Sequence, residues 1–182
     1  IGSHLLLEQG IAGPGEIIVG LDNHINLIGA IGAMGWGLGP QDVAFALRTG
    51  KIWMEVPSTV KVEVAGELLP PALAKDLALV LVRDLANLAR ELPGTSLSHV
   101  VLEMSGSALE QFSLDDRITL SGMAATMGVA GLIFPPSHDI MKAIAARAGG
   151  RVLSPCYPDP DAAYLKTIVV DAAAVKPMIA YP

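Results

Sequence analysis

The sequence predicts an α/β fold, built from layered α/β/α units whose sheets are partly parallel. Short apolar runs rich in β-branched residues alternate along the chain with amphipathic stretches of helical period, which is the pattern of βαβ units. Aromatic residues make up only 4% of the 182 residues, so the core must be built from Leu, Val, Ile, Ala and Met. A chain of this length can bury a sizeable core as one domain or as two small units.

The first 56 residues are predicted to form a partial α/β unit. Gly10 ends a first helix, because glycine is the usual residue just past the last helical turn. Pro40 and Gly50 are typical of the first turn and of the end of a later helix. The predicted elements are helices over 3–9, within 25–38 and over 40–49, and strands over 16–20 and 51–56.

Residues 57–182 are predicted to form a second α/β unit with a proline-rich C-terminal tail. The two prolines at 70–71 end the preceding strand, and a long helix follows them. The apolar run of this helix is bracketed by charged pairs, which indicates one solvated face. Asp115 and Asp116 stand in the first turn of another helix, where negative charge suits the helix dipole. The predicted elements are strands over 58–68, 99–104, 130–136 and 167–171, and helices over 72–91, 114–128 and 138–150.

Charge and composition exclude several classes of function. The net charge is −6 and lysine and arginine form no cluster, which argues against a nucleic-acid partner. The mean hydropathy is +0.51, but the longest charge-free apolar run, residues 25–38, is too short to span a bilayer. Cys156 is the single cysteine, so we expect neither a disulfide framework nor a cysteine-based metal site, and we expect a cytoplasmic location.

The most informative polar residues are Asp22, Asn23 and His24, which come directly after the first predicted strand. A carboxylate two residues before an imidazole can orient it for acid–base chemistry. The alternative is a turn in which Asp22 and Asn23 cap the following helix.

The glycine-rich segment after this loop admits two interpretations. It could cradle a phosphate, but it lacks the lysine and hydroxyl residue of a P-loop and does not match the dinucleotide-binding pattern. The favoured alternative is close packing, because glycines at 29, 32 and 35 allow another backbone to approach.

Several stretches, in this order, resemble the middle portion of the aconitase and isopropylmalate isomerase large-subunit family. The run PGEIIVGLDNH is similar to the family's PGE.IVG.DSHT, and the glycine-rich run after it to GA.GA...G.G. The helix beginning AKDL and the run LDDRITLSGM are similar to the family's AKDV or AKDL helix and to its DRMT.CNM motif. The matches extend over nearly the whole chain, so they are more specific than any single motif.

The resemblance implies the fold of the aconitase iron–sulfur domain and the activity of a hydro-lyase. Such an enzyme dehydrates a hydroxy di- or tricarboxylic acid and rehydrates it at the neighbouring carbon, with a [4Fe–4S] cluster as Lewis acid. By matching positions, the resemblance implies catalytic roles for Asp22 and His24 and substrate binding by Asn23, Arg117 and Ser121. For Arg117 the alternatives are pairing with a neighbouring aspartate or plain solvation.

The sequence departs from the family at positions around the same inferred pocket. Four residues replace polar side chains of the family motifs: Asn23 and Ile25 for the Ser and Thr of DSHT, Gly122 for the Asn of CNM, and Ser3 for the histidine of I.HQ, with His4 one place later. The family's cluster cysteines lie beyond the last residue of this chain, and Cys156 does not align with a ligand. No cofactor or metal is therefore predicted for this chain itself.

Two classes of function stay open. In the first, the chain is a portion of a hydro-lyase large subunit and needs a complementary large-subunit half, a swivelling small subunit, or both. In the second, it is a degenerate cluster-free paralogue that serves as a binding or assembly module, or that catalyses a non-cluster lyase or isomerase reaction with His24 as base. An apolar surface where missing parts would dock predicts an oligomer in either case.

Overall fold

The computed structural model describes residues 2–181 of the chain and begins with a small parallel sheet. β1 (Ile17–Gly20) pairs with β2 (Met34–Gly37), with Ile17 opposite Met34. A 3₁₀ helix, Asn23–Ile31, connects the two strands and is buried from Ile25 onwards. α1 (Gly2–Glu8) precedes this sheet and α2 (Pro40–Thr49) follows it.

A larger parallel sheet of four strands, in the order β5-β4-β3-β6, forms the rest of the framework. Helices connect its strands in βαβ fashion, and every strand pairing within residues 2–181 is parallel. Its elements are β3 (Ser58–Ala65), α3 (Ala74–Glu91), β4 (Val100–Ser105), α4 (Leu114–Gly122), α5 (Ala124–Met127), β5 (Gly131–Ile133), α6 (His138–Ala145) and β6 (Lys166–Asp171). The predicted α/β fold class is confirmed, and the sheets are more uniformly parallel than expected.

Two apolar clusters form the core. In the larger one, the alternating residues Val60, Val62 and Val64 of β3 are fully buried together with residues of α3 such as Leu77 and Leu81. In the smaller one, the 3₁₀ helix packs with α1 and α6 through five side chains among others: Leu7, Leu27, Ile28, Ile140 and Ile144. Burying each large aliphatic side chain contributes roughly 1.5–3 kcal/mol relative to leaving it exposed. The division into units 1–56 and 57–182 stays a prediction.

Glycines allow the 3₁₀ helix to touch neighbouring backbone, as the close-packing interpretation predicted. A Cβ on Gly29 would lie 1.9 Å from the carbonyl oxygen of Leu132, and one on Gly35 would lie 2.1 Å from that of Ile25. The predicted helix over 25–38 was wrong in form, because the chain makes a 3₁₀ helix and then β2. Because glycine has no side chain, it permits these contacts, but it also interrupts the apolar alternation that would have predicted β2.

Two further predictions differ from the structure. The strand predicted over 51–56 was wrong, because these residues pair with no strand of either sheet. The helix predicted over 114–128 is divided at Met123 into α4 and α5. Among residues 2–181, no helix combines the length and the apolar character needed to cross a membrane.

Candidate active site

The Asp22 carboxylate begins the 3₁₀ helix as its N-cap. Its backbone is extended, with φ −94° and ψ 123°, and Oδ1 accepts a hydrogen bond from the backbone N–H of His24 at 2.9 Å. This satisfies one of the N–H groups that a helix leaves without a partner in its first turn. The capping interpretation of the loop is therefore correct for Asp22, whereas Asn23 is the first residue of the helix itself.

The same carboxylate oxygen also holds the imidazole of His24. Nδ1 of His24 lies 2.9 Å from Oδ1 of Asp22, and the two side chains are 77% and 46% exposed. An ionised carboxylate only accepts hydrogen bonds, so in neutral His24 the proton belongs on Nδ1 and Nε2 is left as a bare acceptor. One residue thus caps the helix and orients the ring, and the two interpretations of the loop are compatible.

Hydrogen bonding to the carboxylate sets its protonation. The pKa of Asp22 is lowered from its ordinary value, chiefly by the backbone N–H of His24 and then by the His24 ring. A third, long contact comes from the hydroxyl of Ser3, 3.4 Å from Oδ2. Asp22 is therefore ionised at neutral pH and available as a fixed acceptor for the ring.

His24 lies at the edge of a shallow concavity of about 290 Å³ between α1, the 3₁₀ helix and α4. This volume is near the lower end of the range for small-molecule sites. Most of the lining is apolar, and the polar groups are two imidazoles and one hydroxyl. The lining residues are His4, His24, Leu27, Ile118, Thr119 and Gly122.

The helical period of α4 separates two of the predicted site residues from this concavity. Ile118 and Gly122, four residues apart, face the concavity, whereas Arg117 and Ser121 lie on the buried side of the same helix. Arg117 is 2% exposed. The structure brings Asp22 and His24 together but turns Arg117 and Ser121 away from them.

Arg117 is bonded to the protein backbone on every nitrogen. Nε donates to the carbonyl of Phe112 at 3.3 Å, Nη1 to that of Pro135 at 3.0 Å and Nη2 to that of Leu109 at 3.0 Å. The guanidinium carbon also lies 5.0 Å from the ring centroid of Phe134, and burial lowers the pKa of the side chain. This geometry favours a structural role, and the substrate-binding role stays a prediction without support from the described contacts.

Ser121 and Asn23 also lie outside the lining of the concavity. The hydroxyl of Ser121 is fully buried and has no hydrogen-bond partner within the described residues. It lies beneath the 3₁₀ helix, 3.2 Å from where a Cβ on Gly29 would be. Asn23 is exposed and its Oδ1 lies 2.6 Å from the position of a Cβ on Gly37.

Sequence reasoning missed most of the residues that surround His24. His4 and Thr119 reach the concavity from α1 and α4, which no motif spacing connects with the Asp22 loop. The motif match indicated Arg117 and Ser121, each one position before a residue of α4 that does line the concavity, and no sequence signal reports the rotation of α4 about its axis. The sequence did not indicate His4 either, since its position depends on how α1 packs.

A [4Fe–4S] cluster does not match the donors of this chain. Such clusters are held by cysteine thiolates, usually four, and the sequence contains only Cys156, which is exposed. In the part of the chain that the structure describes, no three His, Cys, Asp or Glu side chains are grouped so as to hold a metal ion. Ligands for a cluster would have to come from outside these residues.

Comparison with known proteins gives consistent relatives. A 3-isopropylmalate dehydratase large subunit from Halothermothrix orenii is 38% identical over 178 residues, which is 98% of this chain and 40% of the relative. A probable methanogen homoaconitase large subunit from Methanosarcina mazei is 37% identical over 178 residues, 98% of this chain and 44% of the relative. The homoaconitase large subunit of Thermus thermophilus is 35% identical, again over 98% of this chain and 40% of the relative.

The chain thus spans about two fifths of the length of these curated relatives. The family model described as "Aconitase family (aconitate hydratase)" matches residues 3–182. That match includes the Asp22 loop, both sheets and α4, so it covers every element that forms the concavity. The chain belongs to the aconitase family.

Proposed function

We propose that this chain is part of a hydro-lyase that acts on a hydroxy di- or tricarboxylic acid, with His24 as its proton-transfer group. The observation that carries the proposal is the 2.9 Å contact between Asp22 Oδ1 and His24 Nδ1 at the edge of a concavity. The relatives support the reaction class, since they are named as 3-isopropylmalate dehydratase and homoaconitase large subunits.

The chemistry of dehydration defines what His24 would do. A C–H proton leaves one carbon, the C–O bond of the neighbouring carbon breaks, and a double bond forms between the two carbons. The bare Nε2 of His24 accepts the C–H proton, and the Asp22 carboxylate stabilises the imidazolium that results. In the hydration direction the same Nε2–H returns its proton to carbon.

The other requirements of the reaction are proposed to come from outside residues 2–181. The departing hydroxide needs an electrophile or an acid, and the substrate carboxylates need cationic partners, whereas Arg117 is committed to backbone carbonyls. We assign these roles to the remaining portion of a large subunit or to a small subunit, because the relatives are more than twice as long and are named as large subunits. A cytoplasmic location is proposed with them, on the single cysteine.

The test compares His24→Gln with His99→Gln in the chain assembled with its complementary subunits. His99 is a matched control, because it is also exposed and also near a carboxylate, Glu55, at 3.8 Å. Hydration of an unsaturated di- or tricarboxylic acid is followed by loss of its ultraviolet absorbance. Removal of a general base costs roughly 10²–10⁴ in rate, so His24→Gln is expected to lose that factor and His99→Gln to keep full turnover.

A second measurement uses the chain alone and needs no turnover. Malate or citrate is titrated against the chain while the ring resonances of His24 and His99 are followed by NMR, with succinate as the probe that lacks the hydroxyl. Saturable shifts at His24 that are larger with the hydroxy acids are expected. Equal turnover of both variants, together with equal ring shifts, would remove His24 from the proposal.

The second candidate is the degenerate cluster-free paralogue, and one observation favours it. The polar groups expected around the pocket are either replaced or located elsewhere. Gly122 lines the concavity without a side chain, and Arg117 and Ser121 face the core. Iron and sulfide analysis of the assembled protein distinguishes the candidates. A stoichiometric cluster with turnover supports the hydro-lyase, and turnover without iron supports a non-cluster lyase or isomerase. The absence of both iron and turnover supports a binding or assembly module.

A further inference from the structure

α1 forms one wall of the concavity but is weakly held by its own residues. It carries His4 to the concavity, and of its seven residues only Ser3 and Leu7 are buried. A helix of this length is not stable in water by itself. Its hydrogen bond to the Asp22 loop is long, 3.4 Å from the hydroxyl of Ser3 to Oδ2 of Asp22. The position of α1 therefore also depends on the loop that follows it.

Arg151 closes the loop between α1 and β1. Nη1 donates to the carbonyl of Gly10 at 3.1 Å and to that of Ile11, both close to the end of α1. Nη2 donates to Oε1 of Glu16, the last residue before β1. The other carboxylate oxygen, Oε2, accepts from the backbone N–H of Gly13 at 2.8 Å, in the middle of the loop. One guanidinium, from far along the sequence, thus binds both ends of the loop.

The segment that carries Arg151 lies directly against this loop. A Cβ on any of three loop glycines would lie between 2.6 and 3.2 Å from an atom of the segment, so the loop and the segment are in close contact. The pairs, in chain order, are Gly10 with Arg147, Gly13 with Leu153 and Gly15 with Cys156. Leu153 also packs on the smaller apolar cluster. The segment is therefore anchored to the core, and Arg151 fastens the loop to it.

We propose that Arg151 is a positioning residue for the site of the proposed reaction, because closure of this loop keeps α1 in place as a wall of the concavity. The inference rests on the proposed function. Arg151 does not line the concavity, so it acts through the loop and α1. The contact between Asp22 and His24 lies within three consecutive residues and does not depend on the loop. Loss of closure should therefore loosen the wall and leave the His24 ring oriented.

The shape of the guanidinium carries this role more than its charge does. The side chains of Arg151 and Glu16 are 43% and 39% exposed, and an ion pair this accessible to water contributes little to stability. The planar fork instead reaches acceptors at both ends of the loop at once. A lysine ammonium keeps the charge but is a single point donor. Arg151→Lys should therefore fold and still lose the closure.

The first measurement is amide hydrogen exchange of the full chain. The reporters are the N–H groups of residues 9–12, which donate to carbonyls of α1. Loss of closure in Arg151→Met and Arg151→Lys should speed their exchange about tenfold or more, while amides of β3 stay unchanged because the opening is local. Arg147→Met is the matched control, since Arg147 is exposed on the same segment and takes part in no ion pair within residues 2–181.

The second measurement distinguishes positioning from a merely structural role. Malate is titrated against the chain, and its Kd is read from the ring resonances of His24. A loosened wall should raise this Kd about tenfold in Arg151→Met and Arg151→Lys, because the site is no longer pre-organised. In the assembled protein KM should rise similarly while kcat stays nearly constant. A merely structural role lowers the folded fraction, and so reduces turnover without changing KM or Kd.

The outcomes separate this inference from the proposed function. Faster exchange of residues 9–12 with unchanged malate Kd and KM overturns the positioning role and leaves the proposed function intact. Unchanged exchange in both Arg151 variants overturns the closure itself. A wild-type chain that binds no malate, and whose assembled form hydrates no unsaturated acid, overturns the proposed function and the positioning role with it.

Discussion

The Asp22 loop and the buried side of α4 lie on two elements that pack together, yet they treat polar groups in opposite ways. Asp22 and His24 are bonded to each other and exposed to solvent, and His24 lines the concavity. Arg117 precedes the lining residue Ile118 in α4, but it lies on the buried side of the helix and donates to three backbone carbonyls. A resemblance in sequence assigned both sets to one site, and the structure separates them.

The two regions suit different roles, the first proton transfer and the second stability. A buried guanidinium that satisfies buried carbonyls is expensive to remove, because the carbonyls lose their partners. An exposed imidazole contributes little to folding and is free to exchange protons with a ligand. Substitutions in the two regions should therefore divide between loss of stability and loss of function.

The largest effect is expected for Arg117→Met. The substitution leaves the carbonyls of Leu109, Phe112 and Pro135 without their donor, and we expect a loss of about 3 kcal/mol or more in the free energy of unfolding. Urea unfolding followed by circular dichroism measures it. Arg83→Met is the control, since Arg83 is an exposed residue paired with its neighbour Asp84, and a change within about 0.5 kcal/mol is expected there. Equal stability of both variants would contradict the structural role of Arg117.

The next effect is expected at the contact between the 3₁₀ helix and β5. Gly29→Ala places a Cβ against the carbonyl of Leu132, and the shift that relieves this overlap should cost roughly 1–3 kcal/mol. Gly122→Ala is the matched control, because its Cβ would lie 3.9 Å from the Cβ of Leu27, an ordinary contact. Alanine at this helical position is expected to be neutral or stabilising. Both are measured by thermal unfolding, and a stable Gly29→Ala protein would show that the backbones are not in contact.

A smaller effect separates the two roles of Asp22. Asparagine caps helices as well as aspartate does, whereas alanine does not, so Asp22→Ala should lower Tm by a few degrees and Asp22→Asn should leave it nearly unchanged. Both variants remove the carboxylate that orients His24, so both should lose turnover in the assembled protein. A fully active Asp22→Asn variant would show that the ring needs no carboxylate.

The contribution of Asp22 to the stability of the fold should decrease at acid pH. The pKa of Asp22 is lowered on folding, so its contribution to stability is present above the unfolded pKa, near 3.8, and is lost as pH falls through the lower folded value. The difference in stability between the wild-type chain and Asp22→Ala should therefore shrink at acid pH. A difference that grows on acidification would contradict the hydrogen bonds assigned to this carboxylate.

The smallest effect concerns a half-buried pair on the larger sheet. The hydroxyl of Tyr164 donates to Glu103 at 2.6 Å, and this bond raises the pKa of Tyr164 to about 12. In Glu103→Gln the acceptor is neutral, so the pKa should fall towards 10. Tyrosinate absorbance in a background with Tyr157 and Tyr181 changed to Phe reports it. The contribution of the pair to stability is present below the pKa that Tyr164 has in the unfolded chain and is lost as pH rises through its higher pKa in the folded chain. If Tyr164 titrates at the same pH in Glu103→Gln and in the wild-type chain, the hydrogen bond to Glu103 is contradicted.

Sequence reasoning predicted the elements whose own residues determine them. The alternation of β3 and the capped, amphipathic α3 depend on side chains within each segment, and both are present. Residues 51–56 also alternate but form no strand, because a strand requires a pairing partner and the alternation of a segment does not determine where it pairs. β2 was missed for the converse reason. Its sequence, MGWG, carries little side-chain pattern, and the strand forms because β1 supplies its hydrogen-bonding partner.

The same distinction applies to the candidate site. Asp22 and His24 are two residues apart in one loop, so their contact follows from local geometry. The position of Arg117 depends on the rotation of α4 about its axis, and the contribution of His4 depends on the packing of α1; neither is encoded in a motif. A resemblance transfers residue types to positions, but it does not transfer the direction in which each side chain faces.

The most direct test is the tautomer of His24, read from the nitrogen chemical shifts of its ring in the uncharged form. The structure predicts that Nδ1 carries the proton, bonded to Asp22, and that Nε2 is the bare nitrogen, with the preference lost in Asp22→Ala. A proton on Nε2 in the wild-type chain, or the same tautomer ratio in both proteins, would contradict the account.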